Sequence, residues 1–118
     1  MNEYKPILTE DFLQYIWRTQ KYDHRNLICT TGETLDVIQA GMLNRDQGPD
    51  FTDSRVRIGG QLWAGKVEVH IRSSDWMKHG LQDNPDYMNV ILHVVYEDDE
   101  PVVDPYGAKI PTLVLKDR

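Results

Sequence analysis

Asp50 in the run Gly48-Pro49-Asp50-Phe51 precedes by eighteen positions the triplet Glu68-Val69-His70. The first run sets a carboxylate at a stiff turn before an apparent strand. The triplet sets a carboxylate and an imidazole two residues apart, hence on one face of a strand. Two acids converging near a sheet centre make a site for a hard divalent cation, magnesium or manganese, with Asp50 and Glu68 as the metal ligands. The catalytic set would then be Asp50, Glu68 and His70, with the imidazole positioning or deprotonating a water. Each residue also has a plainer reading. Lys66, Glu68, His70 and Arg72 alternate as they would on a solvated strand face, and taken locally that is the commoner outcome. Asp50 can equally be a turn acid that accepts backbone hydrogen bonds.

The other candidates are weaker. His93 lies in a doubly apolar segment and reads as a core histidine bonded to a neighbour. His79 ends a short helix, where a cation suits the helix dipole. A zinc site from His70, His79 and His93 matches no strong ligand spacing. Trp63 and Trp76 flank the Glu68 region, for packing or, more sharply, for stacking on a nucleotide. Glu10 is a first-turn helix acid that can lean toward the core edge. Phosphate-cradling glycine loops, nucleophile elbows and paired cysteines are lacking.

The elements that must position these residues follow from periodicity. Thr9 caps a helix that runs to about Gln20, with Glu10 and Asp11 at its positive end and a stripe of Phe12, Leu13, Ile16 and Trp17. Leu35 to Leu43 reads as a first strand that Gly41 can interrupt. Thr52 to Ile58, a Gly59-Gly60 turn and Gln61 to Arg72 make a hairpin. In the return strand Trp63, Val67, Val69 and Ile71 take one parity and the charged residues the other, so one face is expected buried and one charged. With a two-residue loop Ile58 faces Gln61, Asp53 faces Lys66 and Phe51 faces Glu68. An ideal hairpin therefore aims Asp53, not Asp50, at the charged face; Asp50 joins Glu68 only if the strand bends, bulges or begins just after Asp50, as the preceding proline favours. A short helix from Ser73-Ser74-Asp75 to Gly80, an Asn84-Pro85-Asp86 turn and a strand over Asn89 to Tyr96, covered on both faces, come next. Segments around Val102 and Thr112 to Leu115, joined through Pro105-Tyr106-Gly107, read as an additional C-terminal hairpin. The class is α+β (mixed α/β).

A chain of 118 residues suits a single domain over 1–118 with one core, and three Trp, six Tyr and two Phe help to fill it. No apolar run approaches the roughly 20 residues of a membrane span, so no membrane partner is expected. The lone Cys29 excludes an internal disulfide, and a cytoplasmic location is expected. The formal charge of -6 argues against a broad nucleic-acid surface. The acidity gathers in Glu97-Asp98-Asp99-Glu100, read as a solvated turn.

Several of these runs together resemble a known family. Leu13-Gln14-Tyr15-Ile16-Trp17, Gly48-Pro49-Asp50-Phe51, Trp63-Ala64-Gly65, Val67-Glu68-Val69-His70, Ser73-Ser74-Asp75-Trp76 and Val90-Ile91-Leu92-His93-Val94-Val95 are similar to the bacterial domain-of-unknown-function family 2851. Members of that family are longer, so the resemblance implies an N-terminal piece of a longer protein. More loosely, the order helix, three strands, helix, strand resembles the restriction-endonuclease-like core of PD-(D/E)XK nucleases. There an acid enters the second strand after a proline, and an acid-x-lysine lies on the third; Pro49-Asp50 and Glu68-x-His70 fall at those places. The departure is His70 where lysine is usual. The resemblance implies a magnesium- or manganese-dependent phosphodiesterase acting on nucleic acid. A non-catalytic binding or scaffolding relative is the alternative, and a metal-dependent hydrolase of another substrate a third.

Overall fold

A computed structural model describes residues 7–118. Helix α1 spans Glu10–Thr19; the Phe12 N–H donates to Oγ1 of Thr9 (3.1 Å), and Gln20 closes the helix in the left-handed conformation. Its stripe divides: Leu13 and Trp17 are buried, whereas Phe12 is exposed. Trp17 Nε1–H donates to the Ala40 carbonyl (3.1 Å), which pins the helix over the first break in the sheet.

That break separates β1 (Leu35–Gln39) from β2 (Met42–Leu43). Gly41 lies between them at φ +104°, where a Cβ would run into the Ser54 hydroxyl and the Thr52 carbonyl. Only glycine tolerates both conditions. Strands β3 (Phe51–Ile58) and β4 (Gln61–Arg72) form the expected hairpin, and Ile58 faces Gln61. Helix α2 (Asp75–Lys78) and two 3₁₀ turns (Leu81–Asp83 and Pro85–Tyr87) lead to β5 (Val90–Glu97), and β6 (Thr112–Val114) completes the set. The sheet order is β1-β3-β4-β5-β6, with β2 beside β3. Pairing is antiparallel from β1 to β4 and parallel from β4 to β6, giving a mixed α+β fold.

The expected C-terminal hairpin is corrected. The turn at Pro105-Tyr106-Gly107 closes a small loop with a single bridge, Val103 to Lys109. Thr112–Val114 is not its return strand; it joins the main sheet parallel to β5.

Two apolar clusters cover the sheet. Leu13 and Trp17 pack with Phe51, Val67, Val69, Leu92 and Val94 in the larger. Trp76, Leu81, Tyr87, Val90, Val102 and Ile110 form the smaller, built around α2 and the 3₁₀ turns. The alternation of β4 therefore separates two covered faces, not a covered face and a solvated one. Glu68 is 6 % exposed and His70 2 %, which overturns the solvated-face reading. Among the described residues, no helix is long and apolar enough to cross a membrane.

Candidate functional site

The site begins with an irregularity in β3. Phe51 pairs with Val67 and Ser54 with Gly65, so Thr52 and Asp53 together oppose Lys66 alone. Asp53 absorbs the extra residue at φ +56°. This bulge shifts the register by one at the start of the strand and turns the ideal hairpin's prediction around: Asp53 is exposed, and Asp50 comes to Glu68. The loop before it is braced by Asn44, whose Nδ2–H donates to the carbonyls of Gln47 and Pro49 (both 3.1 Å). The Asn44 N–H also donates to the Asp50 carbonyl (2.7 Å).

Asp50 and Glu68 are cross-braced. The Asp50 N–H donates to Glu68 Oε1 (3.0 Å), and the Val69 N–H donates to Asp50 Oδ2 (2.9 Å). Each carboxyl is thus held by a backbone N–H of the other's strand. Gln14, on the helix turn after Glu10, favours the charged form of Asp50.

His70 continues the chain inward. Its Nε2 lies 3.3 Å from Glu68 Oε2, and its Nδ1 lies 2.7 Å from His93 Nε2. Both ring nitrogens are therefore engaged. The expected core role of His93 holds: it is fully buried and bonded to a neighbour. His79 sits beside the group, with its ring centroid 5.4 Å from that of His70.

Burial dominates the electrostatics. Glu68 is pushed up to about 10 by desolvation, and next by the neighbouring Asp50 charge. Burial also raises Asp50, although the Glu68 and Gln14 side chains and the Val69 N–H pull the other way. At neutral pH the pair therefore retains a proton rather than two full negative charges. Glu10 is raised as well, by burial and then by Asp50, which places this first-turn acid in the field of the site. Burial holds His70 down at about 4, so its imidazole is neutral at pH 7.

Residues 10–118 match the family described as protein of unknown function (DUF2851). The chain belongs to that family. No curated protein and no solved structure matches it. In this DUF2851 chain the three candidate residues Asp50, Glu68 and His70 do come together, with His93 behind them. Among the described residues, however, no three His, Cys, Asp or Glu side chains form a group that could hold a metal ion, His70, His79 and His93 included.

The tryptophans part company. Trp76 is buried edge-on against Tyr87 and His93, with ring centroids 5.8 and 5.2 Å away, and is a packing residue. Trp63 is 45 % exposed, on the open part of β4 away from Glu68.

Sequence reasoning missed Gln14 and the Asp75 and His79 charges that act on Glu10. Gln14 had a usable signal, since it stands four residues after Glu10 and so shares its helix face. Asp75 carried none, because its role as a helix-start acid accounts for it locally.

Proposed function

We propose that this chain carries a PD-(D/E)XK-like centre for metal-dependent phosphodiester chemistry, in which Asp50 and Glu68 hold magnesium or manganese. The observation that carries this reading is the cross-braced carboxyl pair, Glu68 buried and Asp50 half-buried, with no lysine or arginine paired to it among the described residues. The donor set fits such an ion. Magnesium is commonly held by one or two carboxylates while water and substrate phosphate fill its other positions, so a complete protein cage is not required. When bound, the ion would supply charge stabilisation at a phosphate and make a coordinated water more acidic.

The residues of the chain then have separate tasks. The Asp50 and Val69 N–H groups fix the carboxyl orientations. Gln14, from the helix side, favours the ionised form of Asp50. His70 acts through Glu68, because neither of its nitrogens is free to take a proton from water. Nucleic acid is the proposed substrate class, on the strength of the superfamily resemblance alone.

That same engagement of His70 favours a second reading, a non-catalytic binding or scaffolding relative that keeps the fold. Titration with manganese of the wild type and of Glu68→Gln tests the first. Binding by the wild type that drops at least tenfold in the variant is expected. Equal binding by both would remove the metal centre. Metal binding without cleavage of single- or double-stranded DNA or RNA would move the assignment to the second reading.

A further inference from the structure

Across the parallel β4–β5 pairing, Glu68 stands in register with His93 and His70 with Val95. The side chains of Glu68, His70 and His93 form one buried chain, with contacts of 3.3 and 2.7 Å. It ends at His93 Nδ1, which has no hydrogen-bond partner among the described residues. We propose that His93 is a positioning residue that sets the tautomer of His70 and, through it, the orientation of the Glu68 carboxyl.

A neutral imidazole carries one ring hydrogen, so the chain has two arrangements. In one, His70 donates from Nδ1 to His93, and His93 carries its hydrogen on Nδ1. That N–H would be buried with nothing to donate to. In the other, His93 donates from Nε2 to His70 Nδ1, and His70 carries its hydrogen on Nε2, facing Glu68. Only a lone pair on His93 Nδ1 is then left unmatched. Orphaned buried N–H groups are rarer than unmatched acceptors, which selects the second arrangement.

Trp76 packs its ring against His93, and neither its Nε1–H nor His93 Nδ1 finds a hydrogen-bond partner among the described residues. Burial keeps both histidines neutral, and for His93 the proximity of His70 adds to this.

The consequence is that the Asp50 N–H donates to Glu68 Oε1 while the His70 Nε2–H faces Oε2 across 3.3 Å. The carboxyl cannot rotate without losing both. Its effect on metal affinity rests on the proposed metal centre; the tautomer itself does not.

Nitrogen-15 imidazole spectra of the metal-free wild type read the tautomers directly. Nε2-protonated signals for both His70 and His93 are expected. A Nδ1-protonated His93 overturns the proposal without any mutation. In His93→Phe, which removes the donor, His70 should become a mixture of tautomers and manganese affinity should fall about tenfold. His93→Gln, whose side-chain amide again supplies an N–H, should restore most of both. A folded His93→Phe, judged by dispersed amide resonances, with an unchanged His70 signal would also sink it. A wild type that binds no manganese defeats the metal centre instead and leaves the tautomer result to decide this inference.

Discussion

Glu68 and Asp99 are two acids of the same fold with opposite environments. Asp99 lies exposed just beyond β5 and collects donors: the Ser73 and Ser74 hydroxyls at 2.9 and 2.6 Å, and the Ser74 N–H at 2.8 Å. The Ser74 side-chain bond first, and then the others, hold its carboxyl down at about 2. Ser73 Oγ in return accepts from the Asp99 and Glu100 N–H groups (2.9 and 3.0 Å), so the acidic run is a clasp between the ends of β4 and β5. Glu68 is buried, has a second acid as its neighbour, and sits at about 10. Asp99 is satisfied by the protein and its charge is spent on holding a turn. Glu68 is oriented by the protein but its charge is not compensated, which is the condition of a group awaiting a cation.

The largest expected effect separates them by pH. The unfolded chain releases the Glu68 proton near 4.3, whereas the native state keeps it to about 10, so stability falls as pH rises between those values. Glu68→Gln removes that slope. In metal-free buffer the variant should differ little from the wild type near pH 5 and exceed it by on the order of 4 kcal/mol at pH 8. Urea unfolding at several pH values measures this. A wild type that gains stability toward pH 8 relative to the variant would mean that the native fold already compensates Glu68, and the contrast with Asp99 would collapse.

The contrast is only half legible in the sequence. Strict alternation in β4 placed Glu68 and His70 on one face, and the strand bounds Gln61–Arg72 stand. Burial of that face was not visible, because its cover comes from Trp76, Leu81 and Tyr87 in short turns without long-range periodicity. The bulge was foreseen only as a condition. It depends on Asp53 adopting a positive φ and on Gly41 fitting against Ser54, which pairs residues thirteen positions apart. The C-terminal strand failed for a related reason. Pro105-Tyr106-Gly107 does make a turn, but the parallel partner of Thr112–Val114 is chosen by the sheet, and nothing local announces it. Asp99 read as part of a solvated run, since the serines that hold it lie more than twenty residues earlier.

A smaller effect tests the other acid. Asp99→Ala removes charge-assisted hydrogen bonds at an exposed turn, where solvent screening limits the loss to about 1 kcal/mol at neutral pH. Because its folded pKa is lowered, its contribution is present above the unfolded value near 3.9 and is lost as pH falls toward about 2. The deficit of the variant should therefore be constant from pH 5 to 8 and shrink in acid, with manganese affinity unchanged. A variant as stable as the wild type at pH 7 would show that the two N–H bonds to Ser73 Oγ suffice for the clasp.

The smallest effect concerns the bulge that makes Glu68 and Asp50 neighbours. Asp53 holds a left-handed backbone at φ +56°, a conformation unfavourable for most L-residues but tolerated by Asp and easiest for Gly. Its side chain is exposed, and its carbonyl accepts from Gln39 Nε2 (2.8 Å), a bond any residue there preserves. Asp53→Gly relieves the strain but gains freedom in the unfolded chain, so the two terms nearly cancel and leave a change within about 0.5 kcal/mol. Asp53→Val has no such latitude, because a β-branched side chain resists positive φ. If the bulge sets the site, Asp53→Val should weaken manganese binding while Asp53→Gly leaves it intact, although neither side chain touches the carboxyl pair. Equal binding by both variants would locate the alignment of Asp50 in the Asn44-braced loop instead of the strand.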